Sequence, residues 1–337
     1  MIHLSLLTRH SLFLVLLFLA VSCMDDDLSD CPPLPPPVHE TDTRIQFGYV
    51  SFSGDNTEGF DASELESITV FAFDSLGRFY GQVTDAAPRL ADPLYSVSLP
   101  LLPGRYDFYA WGNVRDCYAF TSSDLIKEQT QASEIGLNYA RPSNDTVRVH
   151  PHPLFFGSLK NAEVILPTRA DTTYLTLLLP LVKNTYNIDF ELLGLDEDRS
   201  LELVVTDNNA SYGFDNSFWN SDYLHHAASA QWESSSALHR ASITTLRLER
   251  NRSPRLKLYN SATGHLIYHN DLIDLLLAAE ETSGKRIDFS RQHNFKVALA
   301  FSEEEKTGNI SLTITVNGWH VVRQNVTVDL SKPNLPH

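Results

Sequence analysis

The residue of this 337-residue chain with the most definite chemistry is Cys23. It follows a leader with Arg9 near its start, an apolar run over residues 12–20 and small residues directly before the cysteine. That order is typical of a bacterial export signal ending in a lipobox, where the cysteine thiol is acylated and becomes the new N-terminus after cleavage. The apolar run is only about half of the ~20 residues that a membrane-spanning helix needs. The sequence therefore predicts a signal peptide over residues 1–22 and a lipid on Cys23.

The other two cysteines, Cys31 and Cys117, are candidates for one disulfide. A lipoprotein is exported into an oxidising compartment, where such a bridge can form. In the chain-entropy model, closing a loop of this length would contribute about 4 to 5 kcal/mol. Sequence spacing does not tell whether the two side chains meet, so a bridge and two separate thiols both remain open.

Histidine pairs are the next candidates for chemistry, since thirteen histidines are present. His150 and His152 are spaced to share one face of a strand, and His265 and His269 lie four residues apart. A zinc site would need a third ligand and an acceptor that orients each imidazole. Neither pair has these nearby in sequence, so we interpret them as surface or edge histidines and predict no metal and no cofactor.

Catalytic motifs are not evident in the sequence. A Ser-His-Asp hydrolase of the common type carries a G-x-S-x-G elbow, and the chain has none. Two glycosidase carboxylates would have to lie ~5 to 10 Å apart, which cannot be read from a sequence with 42 acidic residues. We therefore predict that the protein is not an enzyme and name no catalytic residue.

Charge and composition limit the partners. The formal net charge is −16, and such a surface repels nucleic-acid backbones and anionic lipid head groups. Residues 23–43 are acidic and then rich in proline, a composition that favours an extended polyproline II spacer of ~3 Å per residue. We predict a tether over residues 23–43 and no binding of nucleic acid.

The rest of the chain alternates apolar and polar residues as β-strands do. The strand-like runs fall into two groups, which predict an N-terminal β-sandwich over 44–168 and a C-terminal one over 169–337. Pro103-Gly104 is expected to join two paired strands in a hairpin. Alternation in the second of these strands places Tyr106, Phe108 and Ala110 on one face, and Tyr109 and Trp111 on the other.

The second half contains three further signals. One helix is expected after Asn270 or Asp271, either of which can serve as its N-cap. Asn317-Gly318 predicts a tight hairpin turn. The polar and aromatic segment Asn208–Trp232 is interpreted as long loops, whose aromatic residues could stack on sugars but more often lie in the core of a β-sandwich.

Several stretches, in their order along the chain, resemble the fimbrial anchor subunits of Bacteroidetes, the Mfa2 and FimB type. The matching stretches are SCMDDDLSDCP at the start of the mature chain, LPLLPGRYDFYAWGN (99–113), LFFGSL (154–159), LVKNTYNIDF, the helix DLIDLLLAAE and VNGWHVV near the end. The resemblance implies an all-β fold of two tandem transthyretin-like antiparallel β-sandwiches, each of seven strands, with one short helix in the second.

The resemblance also implies a function. Such a protein would be a surface-exposed outer-membrane lipoprotein that anchors type V fimbriae and helps to assemble them, with a role in cell adhesion. Its partners would be fimbrillin or other pilus subunits, joined by β-strand addition, and the outer membrane, joined through the N-terminal lipid. Polymerising fimbrillins of this type are trimmed by an arginine-specific protease near the first strand. Arg44 is therefore a candidate processing site, or an ordinary arginine flanking a strand.

An alternative is a surface glycan-binding lipoprotein of a polysaccharide uptake system. Exposed, coplanar Trp or Tyr side chains within residues 208–232 would favour it.

Overall fold

The computed structural model describes residues 41–49, 51–53, 56–58, 62–165, 174–303 and 310–326. Most of them lie in β-strands, which in chain order are β1 (Thr41–Tyr49), β2 (Ser51–Ser53), β3 (Asn56–Glu58), β4 (Ile68–Asp74), β5 (Phe79–Asp85), β6 (Val97–Leu101), β7 (Gly104–Gly112), β8 (Tyr118–Phe120), β9 (Gly136–Tyr139), β10 (Thr146–Val147), β11 (Phe155–Val164), β12 (Tyr174–Lys183), β13 (Thr185–Leu193), β14 (Leu201–Asp207), β15 (Ser211–Gly213), β16 (Leu224–Glu233), β17 (Leu238–Leu246), β18 (Arg255–Asn260), β19 (His265–Asp271), β20 (Asn294–Glu303), β21 (Ile310–Val316) and β22 (Trp319–Val326).

The helical elements among these residues are one α-helix, α1 (Leu272–Ser283), and short 3-10 turns at Ala62–Glu64 and Ala132–Glu134. The all-β prediction with one helix in the second half is thus confirmed. No helix within the described ranges is long and apolar enough to cross a membrane.

The first sheet has the strand order β5-β4-β7-β11-β12-β1-β6, antiparallel except where β1 runs parallel to β12. The sheet is rolled, because inward-facing residues from its distant strands share one core. Its two edge strands consequently approach each other: a Cβ built on Gly81 of β5 would lie 3.6 Å from Leu99 Cδ1 of β6. This rolled sheet forms the N-terminal sandwich.

The predicted hairpin around Pro103-Gly104 is wrong. Strand β6 pairs with β1, whereas β7 pairs with β4 and β11. The predicted faces of β7 are correct, with Tyr106, Phe108 and Ala110 in the inner core and Tyr109 and Trp111 in a second core on the opposite side. A strand that is buried on both faces belongs in the interior of a sheet, where both of its edges are paired.

The first sheet extends beyond the expected limits at both ends. Strand β1 begins at Thr41 because Thr41 and Thr43 are buried on the same face as Ile45, which continues the period-two pattern into the predicted tether. Strand β12 lies after residue 168 yet pairs with β1 and β11. The chain passes to the second sheet at Asn184, later than the predicted boundary.

The outer face of the first sheet carries the second core, which we call the central aromatic layer. It is closed by a small sheet of order β15-β9-β8. Its aromatic members come from both halves of the chain and are Phe71, Phe73, Phe79, Tyr109, Trp111, Tyr118, Tyr139, Phe156, Tyr212 and Phe214. Leu224 of β16 and Leu246 of β17 belong to the same core, so the layer ties the two large sheets together.

Phe214 is the centre of this layer. Its ring meets those of Phe71, Phe73 and Tyr109 edge to face, at centroid distances of 4.9, 5.3 and 5.5 Å. Its carbonyl oxygen accepts a hydrogen bond of 3.1 Å from Trp111 Nε1. Such aromatic pairs contribute about 0.5–1.5 kcal/mol each beyond their burial.

The second large sheet has the order β19-β18-β14-β16-β17-β13-β20-β21-β22, with β10 added beside β16. It thus has more described strands than the seven that the resemblance implied. The prediction of long loops over Asn208–Trp232 is wrong in part, because β15 and most of β16 lie there. Strand β16 reads LHHAASAQWE, with few strand-favouring residues, and its pairing with β14 and β17 determines its conformation.

Helix α1 covers the core of this second sheet. Asp271 is the N-cap, and its carboxylate accepts from the backbone N–H groups of Ile273 and Asp274 at 2.9 and 3.2 Å. The helix ends at Gly284, whose φ of +68° is the left-handed conformation that glycine adopts readily. The predicted turn at Asn317-Gly318 is confirmed: both residues have positive φ, and Val316 pairs with Trp319.

Three histidines, His226, His239 and His293, are buried in the described structure. His226 and His293 bear on the pH dependence of stability. Neither ring nitrogen of His226 has a hydrogen-bond partner among the described residues, and burial lowers its pKa to about 3. Burial, with the Lys183 charge nearby, lowers the pKa of His293 to about 4. Both side chains are therefore neutral in the native protein at physiological pH.

Replacement of Phe214 by Ala should lower the free energy of unfolding by about 3–5 kcal/mol, because it leaves a cavity at the centre of the aromatic layer. Urea denaturation followed by tryptophan fluorescence measures this. Tyr223→Ala is the matched control, since that side chain is 62% exposed and its loss should cost little. An equal effect of the two substitutions would contradict the central role of Phe214.

The native protein should lose stability as the pH falls below 6.5. The folded-state pKa values of His226 and His293 lie below the unfolded value of 6.5, so the unfolded chain binds more protons in acid. Stability is full above pH 6.5, and each histidine removes about 2 kcal/mol between pH 7 and pH 5. Urea midpoints of His226→Leu across this range should show a shallower decline, and exposed His265→Gln should match the parent protein. An unchanged slope in His226→Leu would refute the assignment.

Candidate subunit-binding strands

The predicted modification sites fall mostly in the N-terminal segment. Cys23 and Cys31 lie outside the described residues, so the lipid and the disulfide stay predictions. Cys117 lies between β7 and β8, half-buried against the central aromatic layer. Burial raises the pKa of its thiol, which keeps it protonated and weakly nucleophilic at neutral pH.

Arg44 lies within β1 and does not flank a strand. It is paired with Thr176 of β12 on one side and with Ser98 of β6 on the other. Its guanidinium lies 3.8 Å from the centre of the Tyr174 ring, and its Nε is 3.3 Å from Asp42 Oδ2. The half-exposed side chain is reachable from solvent, but the peptide bond beside it is part of a sheet interior.

The outer face of the first sheet is covered unevenly. Over β4, β7 and β11 it carries the central aromatic layer. Over β12 the same face is exposed, with Tyr174 at 42% and Leu178 at 62% exposure. Gly48 of β1 lies beside Leu178, where an added Cβ would be 3.6 Å from Leu178 Cδ1. This part of the face is therefore open among the described residues, with the apolar Leu178 beside the polar Thr176 and Arg44.

Sheet edges are the second feature that could receive a partner. An edge strand presents a row of backbone N–H and C=O groups that can pair with an added strand. In the described ranges the edges of the first sheet are β5 and β6, and those of the second are β19 and β22. The β5 and β6 edges face each other without a hydrogen-bond ladder, and the Tyr95 hydroxyl donates to Asp85 Oδ2 at 2.7 Å near the end of β5.

The hydrogen bond from Tyr95 keeps the carboxylate of Asp85 ionised beside the β5 edge. Donation by the Tyr95 hydroxyl, with help from the Ala87 N–H, lowers the pKa of Asp85. Burial and the same bond raise the pKa of Tyr95 well above its ordinary value. At neutral pH the ionised Asp85 carboxylate at this edge thus accepts a hydrogen bond from the neutral Tyr95 hydroxyl.

The four histidines of the two pairs have exposed side chains. His150 Nδ1 lies 2.6 Å from Thr244 Oγ1, and His152 Nε2 lies 3.4 Å from Asp116 Oδ2. His265 and His269 lie on β19 with exposed side chains. Nowhere in the described part of the chain do three metal-ligating side chains come together.

A cleft of about 720 Å³ lies where the chain passes from the first sheet to the second. Its basic residues are largely paired within the fold. Lys183, which is 6% exposed, contacts both oxygens of Glu64 at 2.8 and 2.9 Å. Arg250 Nη2 donates to Glu280 Oε2 at 2.8 Å, a bond that lowers the pKa of Glu280. These pairs stabilise the passage between sheets and give the cleft no reactive group.

The aromatic residues of segment 208–232 mostly serve packing. Tyr212 and Phe214 are buried, whereas Tyr223 is exposed and Trp219 partly exposed. The open edges and the bare face of β12 were not identified from the sequence. No local signal could have revealed them, because the edge position of a strand depends on which distant strands pair with it.

In sequence, this chain is similar to fimbrial anchor proteins. The family model described as "Fimbrillin-A associated anchor proteins Mfa1 and Mfa2" matches residues 28–325. The minor fimbrium anchoring subunit Mfa2 of Porphyromonas gingivalis is 20% identical over 266 residues, which cover 76% of this chain and 78% of that protein.

Solved structures share the fold. The fimbrial anchor protein Mfa2 from Porphyromonas gingivalis superposes with a TM-score of 0.67 at 20% identity, covering 83% of this chain and 99% of that one. A Bacteroides thetaiotaomicron protein described as a putative polysaccharide binding protein gives a TM-score of 0.68 at 20% identity, covering 85% of this chain and 98% of that one. At such identities the structures show the fold, whereas the family model shows kinship. Since that model spans most of the sequence, the chain belongs to the family of fimbrillin-A associated anchor proteins Mfa1 and Mfa2.

Proposed function

We propose that this protein is a lipid-anchored outer-membrane subunit that holds a fimbrial subunit at the base of a pilus. Fimbrial anchoring is the role for which its family is named, and the family match over residues 28–325 is the observation that carries the proposal. The protein performs no catalysis in this role. Its partners are pilus subunits, and its acidic surface disfavours nucleic acid.

Strand addition is the proposed means of holding the partner. An extended segment of a pilus subunit would pair with an open sheet edge, gaining backbone hydrogen bonds along the strand and side-chain contacts at every second residue. Strands β6 and β22 are edges of the two large sheets and support this mode. The exposed Leu178 of β12, which β1 separates from β6, would add buried apolar area.

The lipid on Cys23 would attach the protein to the outer membrane. Two or three acyl chains on Cys23, at about 0.8 kcal/mol per buried CH₂, would make a stable anchor where one chain is marginal. The proline-rich segment after it would hold the folded part away from the bilayer. The fold would then need no membrane-binding surface of its own.

Persistence of the lipid distinguishes a base subunit from a trimmed shaft subunit. A protease binds its substrate as an extended strand whose backbone groups are free to pair. The backbone of Arg44 already pairs with strands on both sides. We therefore propose that Arg44 is not processed in the folded protein and that the lipidated N-terminus is retained.

Substitution of Cys23 by Ala should leave the fold unchanged and release the protein, with its attached fibres, from the membrane fraction. Cell fractionation and immunoblotting, with electron microscopy of shed fibres, measure this. Cys31→Ala is the matched control, because it removes a thiol of the same segment without touching the lipidated residue, and it should stay membrane-bound. Retention of Cys23→Ala at the parent level would contradict lipid anchoring.

An arginine-specific protease should cut the native protein after Arg89 well before it cuts after Arg44. Arg89 is exposed in the irregular segment between β5 and β6, whereas Arg44 is within β1. Cleavage at Arg44 should appear only under conditions that unfold the sheet. N-terminal sequencing and intact mass over a digestion series measure the order of cuts. Comparable rates at both sites in the folded protein would favour a processed shaft subunit.

A further inference from the structure

Trp219 is placed differently from the other aromatic residues of its segment. The neighbouring Phe218 packs against the central aromatic layer, while Trp219 is partly exposed and outside that core. Its backbone N–H donates to the Ser211 carbonyl, which ties the residue to β15. The backbone hydrogen bond thus holds this large aromatic side chain at the surface, outside the hydrophobic core.

The indole lies directly on two glycines. A Cβ at Gly136 of β9 would fall 2.4 Å from Trp219 Cζ3, and one at Gly213 of β15 would fall 2.7 Å from Nε1. Real Cβ atoms do not approach so closely, so any larger residue at either position would displace the ring. The glycines of the neighbouring strands β9 and β15 therefore leave the space that the indole ring occupies.

A cleft of about 330 Å³ opens beside this ring. Among its lining residues are Trp219, Tyr109, Gln131, Asp215 and Ser217. Its volume is within the range of pockets that hold small ligands. The wall combines the partly exposed Trp219 ring and two buried rings, Tyr109 and Phe214, with several hydrogen-bonding side chains.

Asp215 is prepared as an acceptor. Its Oδ1 receives hydrogen bonds from Ser217 N at 3.1 Å and Ser217 Oγ at 2.7 Å. Partial burial raises the pKa of Asp215, but the two Ser217 bonds and the Lys160 charge outweigh it and hold the pKa below its ordinary value. The group is an oriented carboxylate at neutral pH, and its Oδ2 takes no part in these bonds.

Lys160 places a fixed cation against Tyr109, outside the lining of the cleft. Its Nζ lies 3.9 Å from the centre of the Tyr109 ring, donates to the Tyr109 hydroxyl and is 3.4 Å from Asp107 Oδ2. The Tyr109 ring is buried, with the Lys160 ammonium against it. This leaves Trp219 as the aromatic surface that a ligand can use.

The geometry points to a carbohydrate site: we propose that this cleft binds one or two hexose units of a neutral glycan. The C–H groups on one face of a pyranose ring form an apolar surface that packs on an indole, while its hydroxyls need both donors and acceptors at the sides. Trp219 supplies the first, and Asp215, Ser217 and Gln131 supply the second. A quaternary ammonium would need several free aromatic faces, and an anion would be repelled by Asp215.

This activity is additional to the proposed anchoring and does not depend on it. Purified mature protein, residues 23–337, is tested by saturation-transfer NMR and tryptophan-fluorescence titration. The probes are D-mannose, D-galactose, D-glucose and N-acetyl-D-glucosamine, together with their di- to tetrasaccharides. At least one should bind saturably, with Kd in the millimolar range expected of a shallow single site.

Two variants locate the binding. Trp219→Ala and Asp215→Asn should each weaken it at least about tenfold, which corresponds to ~1.4 kcal/mol. Trp319→Ala is the matched control, because Trp319 is 43% exposed beside a different cleft, and it should bind as the parent does. Circular dichroism confirms that each variant is folded. If Trp219→Ala does not fold, Asp215→Asn decides the question.

Failure of every probe to bind saturably would overturn the proposal. So would binding that is unchanged in folded Trp219→Ala or Asp215→Asn, or binding that is lost in Trp319→Ala alone. None of these outcomes bears on fimbrial anchoring, which is tested by release from the membrane.

Discussion

The central aromatic layer is the interaction on which the rest of this structure depends. Strand β7 exposes neither face, because one side fills the rolled N-terminal sheet and the other side packs under Phe214. The second side is covered by residues that arrive about a hundred positions later in the chain, and Trp111 Nε1 is bonded to the Phe214 carbonyl across that separation. Without this cover, the first sheet would present a large aromatic surface to water. The layer therefore makes the two sheets parts of one compact unit among the described residues.

The sequence predicted correctly several features that depend on a few adjacent residues. The faces of β7, the Asp271 cap and the Asn317-Gly318 turn each follow from a few adjacent residues, and each is confirmed. The pairing of strands was less accessible, since it depends on non-local contacts. The Pro103-Gly104 turn changes the chain's position in the sheet instead of forming a hairpin, and β12 pairs with β1 and β11 of the first sheet. The alanine-rich β16 has little strand propensity and takes its conformation from its neighbours.

The same division applies to the candidate sites. Lipidation of Cys23 is predicted from a linear signal, which can be read from a sequence without knowledge of the fold. Other features arise only when distant strands meet. They are the open sheet edges, the exposed face around Leu178 and the packing of Trp219 on two glycines. Arg44 illustrates the difference, because its local context suggested a strand boundary while its pairing with β6 and β12 places it inside a sheet. Under the proposed function this has a mechanical use: the strand that continues from the lipid tether is bonded on both sides, so tension on the tether is shared by two ladders.

The central claim is that this protein holds a pilus subunit at the outer membrane, and the most direct measurement is affinity purification of the chain from detergent-solubilised outer membranes, followed by quantitative mass spectrometry. The account predicts recovery of a pilus subunit of the same fold family, in an amount that depends on an intact anchor. Recovery of a polysaccharide transporter, with no pilus subunit above the level of a control purification, would contradict it.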